Sequence, residues 1–436
     1  MDIRIFIFED DDYERFYPLT YNRPVYQLLS GAFPIWQKWQ KYFPQAEIRF
    51  LCRNEIAAWV RERSGIICNR IEFENCSKAV FINGRVLPDQ ILVENITSRS
   101  TETIALTEGN LSYAVIDPAG SSAQKLSRMD FWGYGHFKAI IKDLPKTDID
   151  SRWLNYIWDF IAENPAQLKH DWQIVNRDGS GFMGLPQKLP DLGCWTYKPE
   201  FIALSESARI DAQTVLDARG GPIIIDEGVY IAPHSRIEGP CFIGPGTQIV
   251  GGKIREGCSF GPDCRVGGEV EESIFLGYSN KYHDGFIGHA YLGEWVNLGA
   301  MTTNSDLKNN YGTIRVNNGS GEIDTSQIKV GSFIGDHVKT GIGMLLNTGN
   351  VIGFASNLFG GGLCVNKFVP PFVWGGEKGF CAYDLVKAMQ TAAAVMKRRG
   401  QEFSSNDKEI FSKLFTDSDK QRKSFVDKNS KKNDNK

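Results

Sequence analysis

An apolar residue returns at every sixth position through much of the second half of the chain. Five isoleucines keep this spacing without a break: Ile225, Ile231, Ile237, Ile243 and Ile249. A strand repeats its side-chain direction every 2 residues and a helix every 3.6, so neither alone gives this period. A triangular β-solenoid does, because each short face directs one apolar side chain inward before the chain turns a corner. The spacing therefore predicts a parallel β-helix.

The same spacing sets the extent of the β-helix, which we assign to residues 206–370 with a regular core from about 222 to 368. After single-residue slips it continues at Ile254, Phe260, Val266, Ile287, Leu292, Leu298, Ile328, Ile334, Thr340, Leu346, Ile352 and Leu358. Two stretches break it, one around His283 and one from Asp306 to about Gln327, where a polar insert predicts a loop or hairpin. Irregular stretches of this kind commonly carry function.

Residues 1–205 alternate short apolar runs with helical spacing. The runs "IRIFIF" (Ile3–Phe8), "AEIRFLC" and "KAVFING" are typical of buried strands, and "NEIAAWVRERSG" is typical of a helix that stops at a glycine. "SRWLNYIWDFIAEN" predicts an amphipathic helix with Ser151 as its N-cap. Alternating strands and helices predict an α/β domain with a mostly parallel sheet.

A helical segment is predicted for residues 371–416. Four apolar side chains share one helical face there: Leu385, Met389, Ala392 and Met396. Gly400 is the expected stop of this helix, and Ser404 or Ser405 is the expected cap of a second one. Residues 417–436 are rich in Lys, Asn and Asp, so we expect a disordered tail.

Charge and cysteine usage predict a cytoplasmic protein without nucleic-acid or membrane partners. The formal net charge is −3, which gives no general attraction to nucleic acid or to an anionic membrane surface. Nine cysteines without a C-x-x-C pair indicate reduced thiols, and Cys258 and Cys264 keep the six-residue spacing of core positions. The first residues, "MDIRIFIFEDDDYERF", have acidic flanks and no basic stretch, so we expect no signal peptide.

Several segments carry a resemblance to a known family: "FYPLTYNRPVYQLLSGAFPIWQKW", "FINGRVLPD", "GYSNKYHDGFIGHAYLGEWVNLGA" with "TTNSDLKNNYG", and "VMKRRG". The six-residue array resembles the left-handed parallel β-helix of the hexapeptide-repeat acyltransferases. Nearly the whole chain resembles the bifunctional UDP-N-acetylglucosamine diphosphorylase and glucosamine-1-phosphate N-acetyltransferase family, in a divergent branch of the kind found in Bacteroidetes. The resemblance implies a Rossmann-like sugar nucleotidyltransferase domain ahead of an acyltransferase β-helix.

By this resemblance the chain is an enzyme of nucleotide-sugar synthesis. Its β-helix would transfer an acetyl group from acetyl-CoA to an amino sugar 1-phosphate, which in the family is glucosamine-1-phosphate. Its N-terminal domain would attach a uridylyl group from UTP with the help of Mg²⁺, and the family also implies a homotrimer. Two alternatives stay open: a single-activity sugar nucleotidyltransferase or acyltransferase with one silent domain, and a non-catalytic scaffold or regulatory subunit.

The resemblance assigns the acyltransferase base to His283. The family frame is His-x-x-aromatic-aliphatic-Gly, and "HDGFIG", which begins at His283, matches it. An amino sugar is mostly an ammonium ion at neutral pH, and an imidazole with a pKa near 6.5 can take the proton that blocks attack on a thioester. Asp284 is placed to orient the ring. A solvated loop histidine is the alternative for His283, and His289 is either a second candidate base or a packed coil residue.

Six residues are candidates for binding the sugar phosphate or the acyl donor: Lys281, Phe286, His289, Asn297, Asn304 and Lys308. Phe286 stands where the family has a tyrosine, so a hydroxyl that would contact the sugar phosphate is missing. The asparagines offer amide hydrogen bonds, but Asn is also common at β-helix corners because it tolerates the left-handed conformation. The lysines offer a cation to phosphate or are simply solvated.

The N-terminal domain departs from the family at two places. The family's glycine-rich phosphate loop follows the first strand, but here "FEDDDYERF" holds that position and no glycine precedes Gly31. In "VFINGRVLP", Arg85 stands where the family has an aspartate that binds Mg²⁺.

The resemblance and the surrounding residues leave three candidates for nucleotide phosphate, namely Arg23, Asn83 and Arg85. Arg23 holds the place of a family lysine. The candidate metal ligands are Asp10 and Asp89, with Asp11 and Asp12 as further carboxylates, because Mg²⁺ prefers oxygen ligands. A degenerate, regulatory or substrate-holding domain is the alternative to nucleotidyl transfer.

Overall fold

A computed structural model describes residues 3–177, 182–184, 188–189 and 193–430 of the chain. The chain divides into two compact units. The first unit comprises Met1–Arg15, Asn22–Leu28 and Phe33–Asn155, and the second comprises Phe16–Tyr21, Leu29–Ala32 and Tyr156–Lys436. The first unit therefore ends at Asn155, ahead of the boundary that the sequence suggested near residue 205.

A six-stranded mixed sheet forms the centre of the first unit. Its strands lie in the order Glu47–Leu51, Ile3–Phe8, Lys78–Asn83, Asn110–Ile116, Thr103–Thr107 and Lys146–Asp148. The first three are parallel, as predicted. The expectation of a mostly parallel sheet is confirmed, because five of the six strands run in one direction. The exception is Asn110–Ile116, which is antiparallel to both of its neighbours and forms a hairpin with Thr103–Thr107, where Glu108 and Gly109 both have a positive φ. A two-residue turn of this kind joins antiparallel strands.

Five α-helices form in residues 3–155, and one of them, Asn54–Ser64, was predicted. The helices are Ile35–Tyr42, Asn54–Ser64, Gln90–Ser98, Ser121–Leu126 and Tyr134–Ile141, with 3₁₀ turns at Tyr13–Phe16 and Val25–Gln27. Four further short strands are Leu29–Ser30, Phe33–Pro34, Val86–Leu87 and Arg152–Trp153. Asn54–Ser64 stops as predicted at Gly65, whose φ is +69°.

The predicted N-cap at Ser151 is wrong. The Ser151 hydroxyl lies 2.7 Å from the Thr107 hydroxyl, and the next two residues pair as a short strand with Val86–Leu87. The helix begins only at Ile157 and continues to Arg177. The strand pairing takes the residues that the sequence pattern had assigned to the first helical turn.

The second unit contains the predicted parallel β-helix. Its short strands stack in three columns. One column is Phe182–Gly184, Ile202–Ser205, Ile223–Ile225, Cys241–Ile243, Cys258–Phe260, Ile274–Gly277, Tyr291–Glu294, Ser332–Ile334, Asn350–Ile352 and Phe368–Val369. A second is Lys188–Leu189, Cys194–Tyr197, Val215–Asp217, Arg236–Glu238, Lys253–Ile254, Glu269–Glu271 and Phe286–Gly288, and further along the chain Thr303–Asn304, Met344–Leu346 and Gly362–Cys364 form a separate three-stranded sheet. The third is Arg209–Ile210, Tyr230–Ile231, Gln248–Ile249, Arg265–Val266 and Asn280–Lys281, followed by a sheet of Lys339–Thr340, Asn357–Phe359, Val373–Gly376 and Gly379–Ala382.

The six-residue spacing places its side chains inside this stack. The five consecutive isoleucines are fully buried in one continuous core, where Ile225 pairs with Ile243 and Ile231 with Ile249 one coil later. Cys258 and Cys264 are buried in the same core, as predicted, and all nine cysteines are free thiols. Ile328 is an exception and is 51% exposed, because the chain is still returning from the insert at that point.

The excursions from the stack are short and ordered. The insert after Asp306 contains the predicted hairpin, in which Arg315–Asn317 and Glu322–Asp324 are antiparallel. Antiparallel strands also occur at both ends of the stack. Phe182–Gly184 runs against Ile202–Ser205 at the start, and Gly379–Ala382 runs against Val373–Gly376 at the end.

Three helices follow the last coil: Leu385–Lys397, Ser405–Asp417 and Asp419–Ser430. Ser404 caps the second of them through a capping box with Asp407, as predicted. No helix within the described ranges has both the length and the apolarity needed to cross a bilayer.

The third of these helices lies in the range that the sequence assigned to a disordered tail. Arg422 is 2% exposed, donates to the Ser418 hydroxyl at 2.8 Å and lies over the Phe415 ring at 3.9 Å. Phe425 packs against Phe380 with ring centroids 5.1 Å apart. The contacts of Arg422 and Phe425 stabilise a helix that the polar composition of the segment did not predict. Residues 431–436 lie outside the described residues.

Candidate functional site

His283 stands at an exposed corner of the β-helix, just after the strand Asn280–Lys281. Gly285 turns this corner with a φ of +128°, and a Cβ there would lie 2.2 Å from the Thr302 carbonyl oxygen, so only glycine fits. The Tyr282 ring meets the imidazole edge-on, with centroids 5.2 Å apart. The corner leaves the imidazole accessible to a substrate.

Lys281 lies inside the coil rather than on its surface. It pairs with Val266 of the previous coil, in the column of inward-facing side chains, and is 1% exposed. Its ammonium donates to the carbonyl oxygens of Gly267, at 3.3 Å, and of His283. Burial lowers the pKa of Lys281 to about 8, against an opposing effect of Asp284. Lys281 therefore holds the main chain of the His283 corner instead of facing solvent.

His289 is enclosed by two carboxylates. Its Nδ1 lies 2.8 Å from an Asp306 oxygen and its Nε2 lies 3.3 Å from a Glu272 oxygen, and the residue is 6% exposed. Burial alone would lower the pKa of His289, but the two carboxylates outweigh it and raise this pKa to about 9. The hydrogen bond from His289 lowers the pKa of Glu272. His289 is thus an imidazolium at neutral pH.

Sequence reasoning missed the partners of His289. Glu272, His289 and Asp306 follow one another at intervals of seventeen residues. A regular coil of three six-residue faces has eighteen, so each interval is one coil with one residue fewer. This interval was the available signal, because residues one coil apart stack directly. A Cβ at Gly288 would lie 2.7 Å from an Asp306 carboxylate oxygen, so the glycine makes room for the acid.

The two candidate asparagines have different surroundings. Asn304 is 1% exposed, and its amide both accepts from the Gly288 N–H and donates to the Gly288 carbonyl, each at 2.8 Å. The Asn304 side-chain amide thus makes the two hydrogen bonds to the Gly288 main chain that a neighbouring strand would otherwise make. Asn297 is half-buried and accepts from the Asn280 amide at 3.1 Å. Of the two, Asn297 is the one nearer to solvent.

Phe286 and Lys308 are partly exposed. The Phe286 N–H donates to the Thr303 hydroxyl at 3.3 Å, which fixes the strand after the corner. The Lys308 ammonium donates to the Thr313 carbonyl within the insert. The insert therefore uses Lys308 to hold its own turn.

A polar column beside the corner was not predicted in full. Arg265, Asn280, Asn297 and Lys339 stack at equivalent positions of successive coils. Arg399, from "VMKRRG", donates to the Asn280 amide oxygen at 2.7 Å. Burial lowers the pKa of Lys339 to about 8. The column carries cation and amide donors next to His283, and the positions one coil apart were the signal for it.

The second candidate site lies in the first unit, where two parallel strands end together. Phe8 pairs with Asn83 at the carboxyl ends of Ile3–Phe8 and Lys78–Asn83. The strand Glu47–Leu51 joins the opposite side of Ile3–Phe8, so the order of strand addition reverses at this point. Open α/β sheets bind their ligands in the crevice at such a reversal.

Three of the predicted residues meet at this crevice: Asp10, Asn83 and Arg85. Asp10 Oδ2 accepts from Asn83 Nδ2 and from Arg85 Nε, each at 2.9 Å. Arg85 Nη2 also lies 2.7 Å from Asp10 Oδ2 and 2.9 Å from Asp12 Oδ2. The neighbouring Glu9 is buried and forms an ion pair with Arg53, and burial raises the pKa of Glu9 to about 7 although Arg53 opposes the shift.

The other two N-terminal candidates have their own contacts. Arg23 is 2% exposed, with its guanidinium 5.6 Å from the Trp59 ring centre. Asp89 caps the helix Gln90–Ser98 by accepting from the Leu92 N–H at 2.8 Å. Across the described ranges, no three His, Cys, Asp or Glu side chains form a group that could hold a metal ion. The Mg²⁺ ion that the resemblance implies does not fit these residues, because Arg85 already occupies the Asp10 carboxylate.

Comparisons with known proteins agree with the predicted resemblance. Residues 5–179 match the family model described as sugar nucleotidyl transferase. The bifunctional sugar-1-phosphate nucleotidylyltransferase/acetyltransferase of Sulfurisphaera tokodaii is 32% identical over 219 residues, which cover 48% of this chain and 52% of that protein. The bifunctional protein GlmU of Azoarcus sp. is 35% identical over 123 residues, covering 26% of this chain and 25% of that protein.

The match extends over only part of each relative. GlmU of Methylibium petroleiphilum, for example, is 29% identical over 202 residues, which cover 45% of this chain and 36% of that protein. The chain spans about half the length of the Sulfurisphaera relative and less of the others. The comparisons confirm the resemblance to bifunctional sugar-1-phosphate nucleotidyltransferase/acetyltransferases, with a sugar nucleotidyl transferase domain at the N-terminus.

Proposed function

We propose that this chain, as a relative of the bifunctional sugar-1-phosphate nucleotidyltransferase/acetyltransferases, acetylates an amino sugar 1-phosphate on its β-helix and uridylylates a sugar 1-phosphate in its N-terminal domain. The amino sugar is glucosamine-1-phosphate and the acetyl donor is acetyl-CoA. One observation carries the acetyltransferase half. The corner histidine of the His-x-x-aromatic-aliphatic-Gly frame is exposed, whereas the other histidine of the segment is enclosed by two acids.

In the acetyl transfer, His283 is the general base. Its imidazole takes a proton from the ammonium group of the amino sugar, and the free amine attacks the thioester carbonyl of acetyl-CoA. The C–N bond forms as the C–S bond breaks, the imidazolium returns its proton to the departing thiolate, and the new amide nitrogen releases its second proton to solvent. Lys281 is a positioning residue in this scheme, because its hydrogen bond to the His283 carbonyl fixes the corner.

His289 is unsuited to the role of base. A base must be unprotonated before it acts, and the carboxylates of Glu272 and Asp306 keep the His289 ring protonated at neutral pH by raising its pKa to about 9. The contrast supports the choice of His283. The column of Asn297, Lys339 and Arg399 supplies donors suited to phosphate groups of the sugar or of coenzyme A.

In the nucleotidyl transfer, a phosphate oxygen of the sugar 1-phosphate attacks the α-phosphorus of UTP and pyrophosphate leaves. Asn83 and Arg85 lie at the crevice where the parallel strands end, which supports binding of phosphate there. The same residues favour a second candidate function, an acetyltransferase with a silent N-terminal domain, because Arg85 is already paired with Asp10.

We further propose a cytoplasmic homotrimer with the acetyl-transfer site in a cleft between two β-helices. Closed cyclic symmetry is common among oligomers, and a prism with flat sides is suited to it. A monomer by light scattering at micromolar concentration would contradict this assembly.

The test uses the full chain with acetyl-CoA, glucosamine-1-phosphate and UTP, and follows thiol release and pyrophosphate release separately. Both products are expected, thiol from acetyl-CoA with glucosamine-1-phosphate and pyrophosphate from UTP with N-acetylglucosamine-1-phosphate. Thiol without pyrophosphate, across several nucleotides, would favour the silent-domain alternative. Neither product, across a panel of sugar phosphates, would leave the scaffold alternative.

A further inference from the structure

Both oxygens of the Asp10 carboxylate in the first unit already accept hydrogen bonds. Its Oδ2 accepts from Asn83 and from Arg85, and its Oδ1 accepts from the Asp12 N–H at 3.1 Å. Asp12 is held in turn by Arg85 at 2.9 Å and by Arg15 at 3.1 Å. A divalent cation would have to displace a guanidinium that is 3% exposed.

The backbone around Arg85 fixes that guanidinium in place. The Arg85 N–H donates to Asn83 Oδ1, and its carbonyl accepts from the Leu154 N–H, each at 3.0 Å. A Cβ at Gly84 would lie 2.6 Å from the Tyr26 ring, so the chain approaches this wall as closely as glycine allows. The Trp153 ring covers the guanidinium, with Cζ 4.5 Å from the ring centre.

Two donors at this place lack an acceptor. Neither Arg85 Nη1 nor Trp153 Nε1 has a hydrogen-bond partner in the part of the chain that the structure describes, although both atoms are buried. Both groups can only donate, and an acceptor oxygen of a bound ligand would satisfy them. A buried donor without an acceptor is rare in proteins and costs stability, which points to a ligand at this position.

The local charge also suits an anion. Arg85 and Arg15 pair with Asp10 and Asp12 and neutralise these two carboxylates, and the remaining acid of the run, Asp11, is exposed to solvent. The Tyr134 phenol is near the cluster, and burial, with Asp10 next, raises its pKa, so it stays protonated and can donate. Guanidinium and phosphate form strong, charge-assisted hydrogen bonds.

We infer that Arg85 is the resident cation of this site and binds a phosphate group through Nη1, with Trp153 Nε1 as a second donor, so that no divalent metal is needed for binding. The guanidinium holds the position against Asp10 and Asp12 that a metal ion would take. The inference rests on the proposed function of the first unit for the kind of ligand, a nucleoside triphosphate or a sugar 1-phosphate. It concerns binding and not turnover.

Calorimetry on the full chain tests this directly, with UTP, N-acetylglucosamine-1-phosphate and inorganic phosphate as separate probes, each in EDTA and in excess Mg²⁺. At least one probe is expected to bind with a Kd that agrees within about threefold between the two buffers, and the probe that binds identifies the source of the phosphate. Binding that weakens tenfold or more in EDTA would overturn the inference and leave nucleotidyl transfer standing. Binding of no probe in either buffer would overturn both.

Variants sharpen the result. Arg85→Ala is expected to weaken metal-free binding at least tenfold and, by releasing the carboxylates of Asp10 and Asp12, to create a Mn²⁺ site visible by electron paramagnetic resonance. The wild-type chain should show no such Mn²⁺ signal, and a stoichiometric one would overturn the inference. Trp153→Phe keeps the ring and removes one donor, so a smaller loss is expected. The exposed Arg128→Ala is the matched control, and the wild-type comparison stands alone if Arg85→Ala does not fold.

Discussion

The His283 corner and the His289 pocket are six residues apart on the same coil, yet they place an imidazole in opposite surroundings. At the corner the ring is exposed, and the nearby ammonium of Lys281 binds the main chain rather than the ring. In the pocket two carboxylates enclose the ring and hold its proton. A group that exchanges protons near neutral pH needs the first setting, and a fixed cation that joins three coils needs the second. What stacks one coil away therefore decides what each histidine can do.

The largest expected effect separates the two histidines in catalysis. His283→Ala should lower acetyl transfer by about 10²–10⁴-fold, which is the usual contribution of a general base. His289→Ala should cost much less, because a protonated ring cannot act as the base. Thiol release from acetyl-CoA measures both, with the fold checked by circular dichroism. Equal losses in the two variants, or full activity of His283→Ala, would reject the assignment.

The second-largest expected effect separates His283 and His289 in their contributions to the free energy of unfolding. The raised pKa of His289 means that its contribution is fully present below the unfolded pKa near 6.5 and is lost as the pH rises through about 9. The shift corresponds to about 3 kcal/mol. We therefore expect His289→Gln to be less stable than the wild type by urea unfolding at pH 6, with the difference shrinking towards pH 9.5.

The exposed His283→Gln is the matched control for this measurement. It should show no comparable pH-dependent difference, because no carboxylate pair encloses His283 in the described structure. A pH-independent difference for His289→Gln would contradict the carboxylate pocket as the source of stability.

A smaller effect tests how the corner is held. Lys281→Met keeps the length of the side chain in the core column but removes the hydrogen bonds to the Gly267 and His283 carbonyls. Loss of positioning should lower kcat for acetyl transfer about tenfold, since small displacements of a catalytic group are costly. The KM for the sugar phosphate should change less than kcat. A rise in KM alone would instead assign Lys281 to substrate binding.

The smallest effect concerns Phe286, where the related family has a tyrosine. Phe286→Tyr should restore one hydrogen bond to the sugar phosphate, worth about 1 kcal/mol, and lower KM about fivefold. The measurement is a substrate titration at saturating acetyl-CoA, and an unchanged KM would show that the corner binds its substrate without this hydroxyl.

The β-helix was predictable because its period is a direct record of inward-facing side chains. The five isoleucines appear as buried core residues in the structure, and the hairpin insert and the Ser404 cap follow equally local rules. Lys281 shows the limit of that approach. It keeps the spacing of Phe275 and Ile287 and is buried, but its charge led us to interpret it as a phosphate-binding or solvated residue.

The candidate sites were less predictable because they depend on neighbours that are distant in sequence. Arg85 meets Asp10 only because two parallel strands end side by side, and strand order cannot be read from the strands themselves. The contact of His289 with Glu272 and Asp306 depends on a single-residue slip in the coil. The motif therefore identified the corner but not the ion pairs beside it.

The antiparallel strands at the two ends of the β-helix have a consequence for solubility. A stack of parallel coils has no intrinsic length, because each coil offers a row of N–H and C=O groups with which a further coil can pair. The first and last coils of two molecules could therefore pair with each other and form a polymer. Here Phe182–Gly184 and Gly379–Ala382 reverse direction at either end of the column pattern. The helix Asp419–Ser430 adds a cover, because Phe425 packs on Phe380 and Ser430 donates to the Phe380 carbonyl at 3.4 Å. Deleting residues 419–436 should therefore favour growth into fibres, visible as thioflavin-positive aggregates that the full chain does not form.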